Sequence, residues 1–267
     1  FHLRRPESVT HLQHAPVLAG AGAEGDAFRY VTPMKNTFKT WFLSFLHLFF
    51  PRQCAVCGEP LQEGEDAICL KCNMSLPRTG YHLRVDNPVE RMFWGKFPLE
   101  HATSYFFYQK GSDFRRILHL LKYGGRKDLG EIMGRFMAAE LLESGFFRGI
   151  DVIVPVPLHP RKQRIRGYNQ SEYIARGIAA VTGLSLDTSS VVRKRHTETQ
   201  TSKSAYERWE NVDGMFRLDY PERFAGKHVL LVDDVLTTGA TTTACADAFR
   251  DVEGMCISVL TLAVTDY

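Results

Sequence analysis

From residue 100 onward the apolar positions fall into two alternating patterns. One is a short, unbroken apolar run; the other is a longer stripe at helical spacing. Ala102 to Tyr108 predicts a strand. Phe114, Ile117, Leu118 and Leu121 then stripe a helix over Asp113 to Leu121, and Leu129 to Leu142 predicts a second. Ile150 to Val154 predicts another strand and Asn169 to Val181 an amphipathic helix. Short strands are expected at Ser190 to Arg195, Gly214 to Leu218 and Lys227 to Val232. A helix over Thr241 to Val252 and a strand over Met255 to Val264 close the chain. Runs such as Val229-Leu-Leu-Val232 show no polar alternation, as a strand covered on both faces requires. The pattern predicts an α/β fold with a doubly wound, mainly parallel sheet.

The first hundred residues read differently. Residues 1–36 have no sustained periodicity and are rich in His, Ala and Gly, with the first Met at Met34. They read as a disordered extension without the basic end and apolar core of a secretory signal. Phe38 to Phe50 is apolar over a helical length, well short of the ~20 residues a membrane span needs. It predicts a helix packed on its own domain, with peripheral docking on a membrane or partner as the alternative; Pro51 ends it. The turn-rich stretch Pro77 to Pro98 reads as a linker. The expected organisation is an extension (1–36), an apolar helix with a small module and linker (37–98), and a main domain (99–267).

Composition alters this little. Of 267 residues, 44% are apolar and 24% charged, an ordinary globular balance, and the net charge of +3 does not by itself point to a polyanion. Four of the six cysteines do change the picture. Cys54-Ala-Val-Cys57 and Cys69-Leu-Lys-Cys72 are two C-x-x-C pairs with eleven residues between them. Two such knuckles complete a closed tetrahedral four-sulfur site, so this module reads as a zinc ribbon with structural Zn²⁺. Cys245 and Cys256 fall on apolar faces and read as core thiols.

Candidate chemistry gathers where Val229–Val232 ends. Asp233 and Asp234 follow, then Val235 and Leu236, then Thr237, Thr238, Gly239, Ala240 and Thr241 before a helix. Open parallel sheets bind ligands at their carboxyl edge. Hydroxyls and N–H groups at a helix N-terminus suit a phosphate, and paired carboxylates beside them suit sugar hydroxyls or a divalent cation. Together they describe a sugar-phosphate site. Two basic stretches are candidates to border it: Lys122-Tyr-Gly-Gly-Arg126, and a loop carrying Arg161, Lys162, Arg164 and Arg166 after Pro155-Val-Pro157. Lys122, Arg126, Arg161, Arg164 and Arg166 are candidates for an anion site. Thr197 to Val212 reads as a mobile flap.

The stretch V-L-L-V-D-D-V-L-T-T-G resembles the fingerprint of type I phosphoribosyltransferases. With the four-cysteine ribbon, K-Y-G-G-R, V-P-V-P-L-H-P, R-G-Y-N-Q and R-K-R-H-T-x-T-Q, the chain is similar to the ComF family from about Phe49 onward. That resemblance implies phosphoribosyl pyrophosphate (PRPP) bound with Mg²⁺. Asp233 and Asp234 would hold the ribose 2′- and 3′-hydroxyls, and Thr237 to Thr241 the 5′-phosphate. It further implies a cytoplasmic protein linked to competence proteins and to uptake of transforming DNA. Two functions follow from it: a phosphoribosyltransferase with Asp233 and Asp234 as its catalytic acids, its acceptor open, or an adaptor that binds single-stranded DNA and keeps the pocket without turnover. In the second, Tyr168 would stack bases beside the basic loops.

Overall fold

The computed structural model describes residues 52–194 and 214–265. The extension, the 38–50 helix and the 197–212 flap lie outside the described residues. Five strands form one sheet: β1 (Leu99–Tyr108), β2 (Val152–Pro155), β3 (Ser185–Leu186), β6 (His228–Leu236) and β7 (Cys256–Thr265). They run in the order β1-β7-β6-β2-β3, and every pair is parallel. A separate antiparallel pair, β4 (Val191–Arg193) and β5 (Phe216–Leu218), stands apart from that sheet.

Unbroken apolar runs in the central strands are explained by two cores. Leu230 and Val232 of β6 point into one and Val229 and Leu231 into the other, as the period of a strand demands. The first core is covered by α3 (Arg115–Tyr123), α4 (Lys127–Glu143) and α6 (Gln170–Thr182). The second is covered by α2 (Pro88–Phe93), by α7 (Ala240–Asp247) and by the β4–β5 pair. Helix α2 lies in the stretch read as linker. Asn87 caps it, accepting from Val89 and Glu90 N–H, while Glu90 reaches back to Asn87 N–H.

Helices α4 and α6 approach each other on glycine. A methyl group at Gly134 would lie 2.2 Å from the Ile174 carbonyl oxygen, and one at Gly177 would lie 2.1 Å from that of Glu131. Neither position admits a side chain at this separation.

The knuckles join the first core. Ala55, Val56, Ala67, Ile68 and Leu76 are buried in it, around the short helix α1 (Leu70–Met74). Arg78 fastens the junction, bonding the Asn73 carbonyl and the Glu140 carboxylate of α4, each at 2.6 Å.

Two expectations change in detail. Arg161 to Arg166, read as a loop, is a helix, α5 (Pro160–Arg166). Pro160 opens it, the His159 ring caps Arg161 N–H, and Gly167 ends it in the left-handed region. Strand β6, expected to stop at Val232, continues to Leu236, with Asp233 paired to Thr261 and Val235 to Ala263 of β7.

Candidate functional site

The acidic pair lies near the end of β6, at the carboxyl edge of the sheet. Ser171 donates to Asp233 Oδ1 at 2.9 Å, and the Asp234 backbone N–H donates to the same oxygen at 2.8 Å. Lys122, at the end of α3, closes on Asp234 with Nζ 3.1 Å from Oδ2. Burial, and then the charge of Asp234, push the Asp233 carboxyl up to about 7, against the pull of the Asp234 N–H, Ser171 and Lys122. The two acids therefore differ in character: Asp233 is hydrogen-bonded and reluctant to ionise, and Asp234 is ion-paired.

A three-residue bend, Thr237 to Gly239, leads from β6 into α7. Thr237, Thr238 and Ala240 are exposed, Thr241 half-buried and Gly239 buried. Gly239 has φ of +75°, and a methyl group there would meet the Phe93 ring at 3.0 Å. The turn thus needs glycine twice over, for its backbone and for its contact with α2. It leads into the N-terminus of α7, whose first N–H groups have no partner within the helix.

The other candidate residues scatter. Arg126 closes on Asp128, with Nη2 2.6 Å from Oδ2, and no contact joins it to the acidic pair among the described residues. Arg161, Lys162 and Arg164 are exposed on α5. Arg166 turns inward, donating to Gln170 at 2.8 Å and lying 5.5 Å from the Tyr123 ring. Tyr168 is no base platform. It is 4% exposed, and its hydroxyl is donated to the Leu121 carbonyl.

Two neighbours of the pair were not singled out in the sequence. Ser171 directly follows R-G-Y-N-Q and, as sequence, is an ordinary serine in the first turn of a helix. Arg193 opens R-K-R-H at the end of β4, and its guanidinium lies 5.2 Å from the Phe216 ring. Burial holds it below its ordinary value, while the charge of Asp233 pulls the other way.

At the ribbon, the four sulfurs lie within 4.8 Å of one another, and Cys57 Sγ is 3.8 Å from Cys69 Sγ. Tetrahedral zinc with ~2.3 Å bonds spaces its sulfurs about 3.8 Å apart, so the thiols fit the ion. Val56 and Cys69 N–H groups approach Cys54 Sγ at 3.4 and 3.3 Å. Burial would raise the Cys54 thiol, but N–H groups from Cys69, Cys57 and Val56 outweigh it and bring it to about 7. Burial and the neighbouring thiols push Cys72 the other way, and Cys57 is raised as well. Cys245 is fully buried and Cys256 partly so.

A parallel sheet with this edge, joined to a four-thiol ribbon, is matched by known families. The phosphoribosyl transferase domain matches residues 127–265, and the double zinc ribbon domain matches 45–82. The class is thereby fixed: a phosphoribosyltransferase-type domain carrying a zinc ribbon. DNA utilization protein YhgH of Escherichia coli K12 is 30% identical over 214 residues, covering 74% of this chain and 91% of its own. Competence protein F of Haemophilus influenzae is 35% identical over 101 residues, 38% of this chain and 44% of its own. A solved allosteric regulatory enzyme of purine biosynthesis aligns over 53% of this chain and 29% of its own, at 19% identity and TM-score 0.38. The chain belongs to the ComF family. Among the described residues no helix is long and apolar enough to cross a membrane.

Proposed function

We propose that the carboxyl edge binds PRPP with Mg²⁺. The observation that carries this reading is the convergence of Asp233 and Asp234 with the Thr237–Thr241 turn and Lys122 on one edge. Asp233 and Asp234 accept from the ribose hydroxyls. The Thr237, Thr238 and Thr241 hydroxyls and the N–H groups of Gly239 and Ala240 receive the 5′-phosphate. A divalent cation suits the ligand, because Mg²⁺ prefers oxygen donors and substrate phosphates. Mg²⁺ would supply charge neutralisation for the pyrophosphate, and Lys122, in contact with Asp234, is a protein cation placed to share that task. Arg166, beside Tyr123, is the second candidate on the pyrophosphate side. If a phosphoribosyl group is transferred, Asp233 and Asp234 act as its catalytic residues by fixing the ribose as pyrophosphate leaves.

The reading places this activity in the cytoplasm, beside competence proteins, and in DNA handling; DNA utilization and competence are the words in its relatives' names. Exposed Arg161, Lys162 and Arg164 on α5 favour a second reading, backbone-led binding of single-stranded DNA. Calorimetry with the Asp233→Asn, Asp234→Asn double variant tests the first. Loss of Mg²⁺·PRPP binding with the fold retained is expected; unchanged affinity refutes it.

A further inference from the structure

Four consecutive residues at the start of α6 send their side chains to four other parts of the chain. The Tyr168 hydroxyl donates to the Leu121 carbonyl of α3, and Asn169 Nδ2 donates to the Val156 carbonyl just after β2 at 3.0 Å. Gln170 Oε1 accepts from Arg166 Nη1 of α5 at 2.8 Å, and Ser171 Oγ donates to Asp233 Oδ1 of β6 at 2.9 Å. All four residues are buried. Asparagine at a helix start ordinarily bonds that helix's own free N–H groups, but the Asn169 side chain makes no such bond. The polar groups are turned away from their helix, onto the elements that carry Lys122, Arg166 and Asp233.

Gln170 is the member that stability does not explain. It is 1% exposed, and among the described residues its Nε2 group has no hydrogen-bond partner. A buried donor left unpaired is destabilising, and an apolar side chain of similar shape would avoid that. What the amide supplies is its oxygen, on Arg166. That arginine is the last residue of α5, half-buried, and lies 5.5 Å from the Tyr123 ring, whereas Arg161, Lys162 and Arg164 of the same helix are exposed. Tyr123 in turn follows Lys122, the partner of Asp234.

We propose that Gln170 is a positioning residue of the candidate site: by holding Arg166 beside Tyr123 it fixes the cation that meets the pyrophosphate, while Ser171, one residue on, fixes the acid that meets the ribose. A free arginine side chain gives up much rotamer freedom when it grips an anion, and one already held gives up less. The bond therefore appears as affinity for the ligand that carries the pyrophosphate. Gln170 uses one of the five guanidinium donors and leaves the others for the anion. The proposal rests on the PRPP reading for the identity of that anion, and not for the hold on Arg166 itself.

The test is calorimetry of the full chain with Mg²⁺·PRPP and with ribose 5-phosphate. Gln170→Met, close in shape but without the acceptor, should weaken PRPP roughly tenfold and ribose 5-phosphate little, and Gln170→Leu should do the same. In an Arg166→Ala background neither substitution should change the ratio of the two affinities further, because the effect runs through that side chain. Ser171→Ala should instead weaken both ligands alike. An unchanged ratio in the Gln170 variants overturns the proposal, and so does a ratio that falls as far without Arg166 as with it. Failure of both Gln170 variants to fold would make the residue a packing tie and overturns it too. Nitrogen NMR of the ligand-free chain reads the hold directly: rotation of the Arg166 guanidinium should be slow in the parent and fast in Gln170→Met. If the parent binds neither sugar phosphate, the PRPP reading fails, and the NMR contrast still decides whether Gln170 fixes Arg166; equal rotation in both proteins would overturn that.

Discussion

Gly177→Ala sets two effects against each other. In a helix interior alanine is better than glycine by about 1 kcal/mol, which favours the variant. Against this, the new methyl would lie 2.1 Å from the Glu131 carbonyl oxygen, where ordinary contact begins at 3.4 Å. The obstacle is backbone of α4, so no rotamer change relieves it, and α6 must shift by about 1.3 Å. Overpacking of this kind costs about 1–3 kcal/mol, and a rigid obstacle puts it at the top of that range. The net expectation is a loss of about 2 kcal/mol, or roughly 4–8 °C in melting temperature for a domain of this size. Urea midpoints and calorimetric melting measure it. Because α6 carries Ser171 to Asp233, Mg²⁺·PRPP affinity should fall as well. A variant as stable as the parent would refute the close approach of α4 and α6, since helix propensity alone would then decide the outcome.

Three further outcomes are expected. Asp233 titrates near 7 when folded, against 3.8 in the open chain, so the stability from its protonation is full below about pH 4 and lost as pH rises through about 7. Asp233→Asn should therefore gain on the parent between those values and level off above, and parallel urea midpoints at both extremes would contradict this. Cys69→Ser should retain less than half an equivalent of zinc by elemental analysis and melt earlier, because metal binding and folding are linked; full zinc occupancy would count against the four-thiol site. Arg166→Ala should weaken PRPP more than ribose 5-phosphate, and equal losses in titration would place Arg166 away from the pyrophosphate.

The layered fold was legible because its strands are covered on both faces. Val229–Val232 has no polar interruption, and the two C-x-x-C pairs announce their own geometry. What misled was polarity. Asp233 and Asp234 look like the end of a strand, yet ladder pairing to β7 uses the backbone and is indifferent to carboxylates. Arg161 to Arg166 carries no buried residue, so no apolar stripe marks α5. Its punctuation, Pro160 and Gly167, was the available signal. Tyr168 resembles an exposed aromatic in a basic run, but its partner, the Leu121 carbonyl, lies 47 residues away and leaves no local trace. Arg193 feels the charge of Asp233 from β4, 40 residues earlier in the chain, a proximity that spacing does not encode.

The shared burial of Ala55, Val56, Ala67 and Ile68 with the α4 and α6 side of the sheet has a consequence for the ribbon's autonomy. A pendant module can be lost, duplicated or grafted without penalty to its neighbour. This one cannot, because deleting it would strip one face of the main domain and leave Arg78 and Glu140 without their junction. Ribbon and domain therefore have to change together, and damage to the thiols registers across the whole fold.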